Sequence, residues 1–208
     1  MIAYEEKLRK NLRWGFMEGS MHFENESKVH KTLRKITNRL DKLGIPYAVV
    51  GGMALFFHGY RRFTEDVDLL VTREGLQKVH ESLEGSGYLP PFTGSKHLRD
   101  TDTGVKVEFL TTGDYPGDGK PKPVAFPDPT GLTVEVDGMR FLKLAKLIEL
   151  KLASGMTNPT RGKDLVDVQE IITARKLPEN FAEQLDPFVQ DKYREIWTLL
   201  ATHPQQPE

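Results

Sequence analysis

The chain contains no cysteine. That excludes a disulfide scaffold, a thiolate zinc site and a cysteine nucleophile. It also lacks a long apolar run: mean hydropathy is −0.46, and no stretch approaches the ~18 apolar residues of a membrane span. Charge of one sign is not in excess either. Lys and Arg number 29 against 30 Asp and Glu, a net charge of −1, which weighs against a dedicated duplex-DNA coat protein. The N-terminal MIAYEEKLRKNLRWG is charged and has no apolar centre, so a secretory signal is not expected and a cytoplasmic protein is the default expectation. What is present suits a globular fold: 208 residues, 38% hydrophobic and 9% aromatic, enough for one ordinary domain or two small ones.

The near-neutral total hides an uneven distribution. Between Arg140 and Lys163 stand six basic residues (Arg140, Lys143, Lys146, Lys151, Arg161, Lys163) against one acid, Glu149. From Glu179 to Glu208 six acids face only Lys192 and Arg194. A basic stretch is followed by an acidic tail ending in the polar HPQQPE.

Apolar periodicity divides the chain. Residues 1–23 have no clean period and read as a short helix or a mobile arm. Val29, Leu33, Ile36, Leu40 and Leu43 recur at three and four, predicting a helix over 25–43 that Gly44 and Pro46 end. Residues 47–50 predict a buried strand, 53–58 a short apolar helix, 66–71 a strand and 73–83 an amphipathic helix. The alternating VKVEFL at 105–110 is a strand, and 111–131, rich in Gly and Pro, is a long loop. After a strand at 132–136 the texture turns helical, with helices expected at about 141–154, 162–176 and 188–201. The expected organisation is an arm at 1–23, an α/β (α+β) core at 24–138 and a helical part at 139–208.

The chemistry concentrates in GGMALFFHGYRRFTEDVDLLV, residues 51–71. Side chains two apart on a strand share a face, so Asp66 and Asp68 project together while Val67, Leu69 and Val71 point into a core. Paired carboxylates at the start of a strand repel unless a cation lies between them, and hard oxygen ligands suit Mg²⁺ or Mn²⁺. Glu108, an acid amid an apolar strand, shares a face with Lys106 and Leu110. If that strand lies beside 66–71, Glu108 completes a three-carboxylate cluster of the kind that holds two metals for in-line phosphoryl chemistry. Gly51-Gly52 lets backbone N–H groups approach a polyphosphate, and the helix that follows favours anions. Arg61 and Arg62 carry guanidinium forks suited to phosphate oxygens. Thr64 is a candidate for nucleotide contact, or it only shapes the turn before the strand.

Gly-Gly, thirteen intervening residues, Asp-x-Asp and a third acid on a later strand together resemble the nucleotidyltransferase superfamily that includes DNA polymerase β. The wording is most similar to its AbiEii/MenT-type branch, whose members include toxins of toxin–antitoxin systems. LIELKLASGMTNPTRGKDLVDV, ending at Val168, resembles that branch's later motif, and the likeness spans roughly residues 45–175. The resemblance implies a nucleotidyltransferase fold: a mixed central sheet flanked by helices, then a C-terminal helical bundle. It implies Asp66, Asp68 and Glu108 as catalytic metal ligands. Gly51, Gly52, Arg62, Thr64, Lys151 and Asp164 would serve the nucleotide, with Lys163 and Asp167 in the same motif. In the family the lysine helps hold the triphosphate and the helix Asp completes the site.

The implied activity is Mg²⁺- or Mn²⁺-dependent transfer of a nucleoside monophosphate from an NTP such as ATP to an acceptor hydroxyl. A toxin-like acceptor would be RNA, guided by the basic stretch, with an antitoxin protein as partner. The alternatives are a protein- or small-molecule-modifying transferase and a non-catalytic nucleotide-sensing or protein-interaction module whose acids pair with Arg61 and Arg62. Two features depart from the family pattern: Gly52 stands where many relatives have Ser, and Glu108 where the third acid is often Asp. Outside the motifs, His58 at the end of the apolar helix is expected to be satisfied by nearby backbone. Lys120 and Lys122 either reach an anionic ligand or keep their loop soluble. Trp197 is expected in core or interface, and Trp14 has no assigned role.

Overall fold

A computed structural model describes residues 2–203; the end of the acidic tail, 204–208, lies outside the described residues. Seven strands form one mixed sheet in the order β3-β4-β5-β2-β1-β7-β6. At its centre β2 (Asp66–Val71) runs antiparallel to β1 (Tyr47–Val50) and parallel to β5 (Lys106–Thr111). β1 is buried at every position, and Val67, Leu69, Leu70 and Val71 of β2 are fully buried. The apolar sequence of these strands therefore reflects their place inside the sheet, covered on both faces.

Helices flank the sheet. α3 (Lys28–Lys42) is capped by Ser27, whose hydroxyl accepts from His30 N at 3.4 Å. It buries Val29, Leu33, Ile36 and Leu40 and packs on β2. α4 (Gly51–Phe57) is buried against β1, β2 and β7 (Met139–Leu142), and α5 (Arg73–Leu83), capped by Thr72, packs on β5. α6 (Leu144–Thr157), α7 (Gly162–Arg175) and α8 (Pro187–Thr202) pack on one another as the C-terminal helical bundle. Among the described residues no helix is long and apolar enough to cross a membrane.

Three strands depart from the sequence expectation. Residues 141–142 were expected to open a helix; they belong instead to β7, which pairs in parallel with β1 at Val49–Phe141, and the helix begins at Leu144. β7 is held by antiparallel pairing with β6 (Thr133–Val136), whose tight turn places Asp137 and Gly138 at positive φ. The short β3 (Tyr88–Leu89) and β4 (His97–Asp100) carry no clean alternation and extend the sheet beyond β5. Residues 2–23 form two helices, α1 (Tyr4–Lys10) and α2 (Leu12–Phe23), docked by the fully buried Tyr4 and His22. Tyr4 N donates to Gly104 O at 3.1 Å, and Tyr4 Oη to Glu18 Oε2 at 3.1 Å.

Candidate active site

The parallel register sets Asp68 opposite Glu108 and Asp66 opposite Lys106. Because alternate residues of adjacent strands share a face, the three carboxylates converge. One oxygen from each of Asp66, Asp68 and Glu108 lies within 4.8 Å of the others, a spacing and donor chemistry that fit a hard divalent cation. Thr64 Oγ1 donates to Asp66 Oδ1 at 3.0 Å and orients it. Lys106 places its ammonium 2.8 Å from Glu108 Oε2 and 3.4 Å from Asp66 Oδ2.

These charges act on one another. Burial, then the neighbouring Asp66 and Glu108 carboxylates, push Asp68 up to about 7. Burial opposes the Lys106 ammonium, but Glu108, Asp66 and Asp68 prevail and hold its pKa above the ordinary lysine value. Three carboxylates thus face one ammonium, Lys106, which pairs with two of them.

Gly51 and Gly52 have a steric reason to be glycine. They form the first turn of α4 rather than a separate turn before it. Gly51 has φ of +60°, and a Cβ there would lie 1.8 Å from Asp68 Oδ2. At Gly52 a Cβ would meet Thr64 Oγ1 at 2.8 Å. The absent side chains make room for the carboxylates as well as for any phosphate.

Facing the cluster is a buried ionic network from α6 and α7. Arg62 holds Asp167 with two hydrogen bonds, Nε to Oδ1 at 2.7 Å and Nη2 to Oδ2 at 3.0 Å. Lys151 Nζ donates to Asp164 Oδ1 at 2.9 Å and to Asp167 Oδ2 at 2.7 Å. Asp164 also accepts from Ser154 Oγ at 2.7 Å and Arg161 Nε at 2.8 Å. Burial works to raise Asp164, but Lys151, Ser154 and Arg161 outweigh it and keep the carboxyl below its ordinary value.

All nine candidate residues read from the sequence, together with Asp167 and Lys163, line one cavity of about 540 Å³. Within the range of ordinary ligand sites, it is closed on one side by Tyr115, Pro116, Gly117 and Phe126 of the 111–131 loop. That loop is tied down: Asn158 Nδ2 donates to Gly117 O at 3.2 Å, and Phe126 N to Asp114 O at 2.9 Å.

Several charged groups differ from their sequence expectation. Arg62 and Lys151 are engaged with carboxylates rather than standing free. Arg61 lies over the Phe56 ring, its Cζ 4.9 Å from the centroid, and Arg62 pairs with Asp167 rather than with Asp66 or Asp68. Of the six cations in 140–163, Arg140 pairs with Asp41, Lys143 with Gly131 O, Lys146 with Glu149, and Lys151 and Arg161 with Asp164. Lys163 alone among them makes no such contact among the described residues. Lys122 donates to Pro116 O and Asp118, while Lys120 is exposed. His58 Nε2 lies 2.7 Å from Leu142 O, satisfied by backbone as expected. Trp197 Nε1 donates to Leu177 O, and Trp14 packs edge-on against Tyr4.

Sequence reasoning missed Lys106 as a member of the cluster, although its place on the face of Glu108 was the signal. It also missed His97, set opposite Glu108 by the β4–β5 register; nothing in the local pattern marks it.

Solved structures share this architecture. The antibiotic-resistance factor ANT(2'')-Ia, in complex with adenylyl-2''-tobramycin, superposes with a TM-score of 0.51 at 15% identity, covering 80% of this chain and 97% of that one. An antigenic nucleotidyltransferase-like protein from Paracoccidioides brasiliensis superposes with a TM-score of 0.50 at 16% identity, covering 85% and 89%. At such identity the likeness shows the fold alone. No curated protein matches the chain. A family model described as "uncharacterised nucleotidyltransferase" matches residues 16–183, and by that match over most of its length the chain belongs to this nucleotidyltransferase family.

Proposed function

We propose that the chain transfers a nucleoside monophosphate from an NTP to an acceptor hydroxyl, using Mg²⁺ or Mn²⁺ held by Asp66, Asp68 and Glu108. The observation that carries this reading is the convergence of the three carboxylates at one end of a cavity that also holds Gly51-Gly52 and the Arg62–Asp167–Lys151–Asp164 network. When bound, the divalent ion supplies charge neutralisation at the triphosphate and at the reacting phosphorus. Gly51 and Gly52 let the triphosphate approach the backbone. Lys163 and Arg161, the latter's side chain 57% exposed, provide positive charge at the wall of the cavity. Arg62 and Lys151, tied to Asp167 and Asp164, act by shaping that wall, and either contacts phosphate directly only by exchanging its carboxylate partner. Thr64 orients Asp66.

Glu108 accepts the proton of the attacking hydroxyl. The acceptor oxygen forms a bond to the α-phosphorus as the bond from that phosphorus to the β-bridging oxygen breaks. Pyrophosphate leaves with the electron pair.

An RNA acceptor rests on the toxin-like resemblance, with the basic run at 140–163 as its guide, and five of the six cations of that run are engaged with protein groups, Lys163 being the exception among the described residues. An antitoxin partner rests on the AbiEii/MenT-type resemblance alone. The division into an arm at 1–23, a core at 24–138 and a helical part at 139–208 is likewise proposed, with β7 reaching from the last part into the sheet.

The test is calorimetry with each NTP, with and without Mg²⁺, alongside transfer of α-labelled nucleotide by the native chain and by Asp66→Ala. Mg²⁺-dependent NTP binding is expected, with transfer lost in the variant and its thermal unfolding in chelator unchanged or higher, because one repelling carboxylate is gone. NTP binding that ignores Mg²⁺ would favour the non-catalytic module, and near-normal transfer by Asp66→Ala would sink the catalytic assignment.

A further inference from the structure

A second cavity, of about 840 Å³, adjoins the first on its β4 side. The two share Glu108, Leu110, Tyr115 and Phe126 as lining residues, so β5 and the 111–131 loop form their common boundary. The second alone is lined by Phe92, Lys96, His97 and Asp114. We propose that this second cavity is the acceptor site and that it takes an uncharged, ring-containing small molecule rich in hydroxyls, of the sugar or cyclitol class. The proposal rests on the transferase reading above.

Three observations support it. Glu108, the proposed base, is the acid common to both cavities, so a hydroxyl arriving from the second reaches the carboxylate without crossing the triphosphate. Glu108 also has a basic neighbour on each side. Lys106 is bonded to it at 2.8 Å, and His97 Nδ1, buried without a hydrogen-bond partner, lies 3.8 Å from Oε2. Finally, the walls are aromatic, and their lining cations, Arg73 and Lys96, are equalled in number by the acids Asp114 and Glu108. Phe92, 65% exposed, together with Tyr115 and Phe126 offers ring faces and edges. Arg73 and Lys96, the cations of this cavity, both pair with Asp114, at 2.8 and 2.6 Å.

A polyanion such as RNA needs unpaired cations to neutralise its phosphates, and these two are already engaged, sharing the Asp114 carboxylate. A polycation finds Asp114 already held by both. An uncharged ring that stacks and donates hydroxyl protons meets neither obstacle. In the reaction the ring's hydroxyl oxygen bonds to the α-phosphorus, pyrophosphate leaves with the electrons of the broken bond, and the hydroxyl proton passes to Glu108.

The full chain is incubated with α-labelled NTPs and Mg²⁺ in three sets of reactions: with the fraction of a bacterial cell extract below 3 kDa, with the macromolecular fraction, and with myo-inositol and methyl glucoside as defined probes. The expected result is label in a low-mass product whose charge is that of a single phosphodiester. Label only in RNA or protein overturns the proposal, as does a product carrying cationic groups or the absence of any labelled product from a chain that still binds Mg²⁺–NTP. Failure of Mg²⁺–NTP binding itself would instead overturn the transferase reading. Phe92→Ala, at an exposed position with little bearing on folding, should raise the acceptor KM at least fivefold while the NTP KM stays within twofold. An unchanged acceptor KM, or an equal rise in both, places the acceptor elsewhere.

Discussion

Asp68 is the side chain that ties sterics to charge in this molecule. It lies so close to Gly51 that no Cβ fits between them, and burial with two neighbouring acids raises it to about 7. Its partner Asp66 is steadied by Thr64, whose uncharged hydroxyl donates to Oδ1. Removing that hydroxyl leaves the proposed ligand set complete but loosely aimed. Thr64→Val is therefore expected to weaken Mn²⁺ binding about 10- to 100-fold, the usual cost of losing such an orienting bond, with little change in thermal stability; a Mn²⁺ titration against the native chain checks it. At this scale the three acids were legible in the sequence, because period-two alternation fixes which residues share a face whatever the neighbouring strands do. The partners of Arg62 and Lys151 were not, because Asp167 stands 105 residues from Arg62 and meets it only through tertiary packing.

Elements place these residues. The 111–131 loop reads from sequence only as a run of glycine and proline, and the structure makes it the partition between two cavities. Gly117, with φ of +78°, presses on α6, where a Cβ would lie 2.3 Å from Thr157 Oγ1 and 2.7 Å from Ser154 O. Gly117→Ala should lift the loop from the helix. The expected outcome is faster proteolytic cleavage within 111–131 and a raised KM for NTP, both measurable on the purified chain. The N-terminal pair of helices is held by a different device, a buried tyrosine bonded to the buried Glu18, which also accepts from Lys28 N at 3.0 Å. Tyr4→Phe leaves Glu18 short of one donor and should cost about 1–3 kcal/mol, read as a fall in Cm without change in the denaturant slope. Neither α2 nor β7 followed from local pattern. α2 is weakly amphipathic, with Leu12 and Phe16 exposed, and β7 is a strand only because β1 and β6 offer it edges to pair with.

The whole molecule carries two opposed pH dependences. Asp68 titrates near 7 when folded against an ordinary 3.8, so without metal the folded form binds the extra proton and stability is lost as pH rises from about 4 to 7. His30 is lowered from 6.5 to about 4 by burial, then by His22, Arg34 and Arg61, and His22 is lowered as well, mainly by burial. Their contribution is present above 6.5 and lost as pH falls toward 4. In chelator the chain should therefore be most stable at an intermediate, mildly acidic pH.

Mg²⁺ held as proposed would compete with the proton at Asp68, so saturating Mg²⁺ should stabilise far more at pH 8 than at pH 5. At a hundredfold excess over Kd the expected gain at pH 8 is about 2.7 kcal/mol, or about 5–10 °C in Tm. Scanning calorimetry at the two pH values checks both signs; equal shifts at pH 5 and 8 would remove Asp68 from the metal site.

The sequence by itself determined the central strands, the principal helices and the face on which Asp66, Asp68 and Glu108 stand, since these follow from periodicity, steric preference and local chain geometry. Tertiary structure alone decided that β5 pairs with β2 so that the acids converge, and that in the apparently basic run at 140–163 Arg140 meets Asp41 and Lys151 meets Asp164 and Asp167. It also decided that the 111–131 loop divides one cavity from another. Pairing, ion-pair partners and cavities depend on which distant segments meet, and that is fixed by how the buried faces of whole elements fit together rather than by any local pattern.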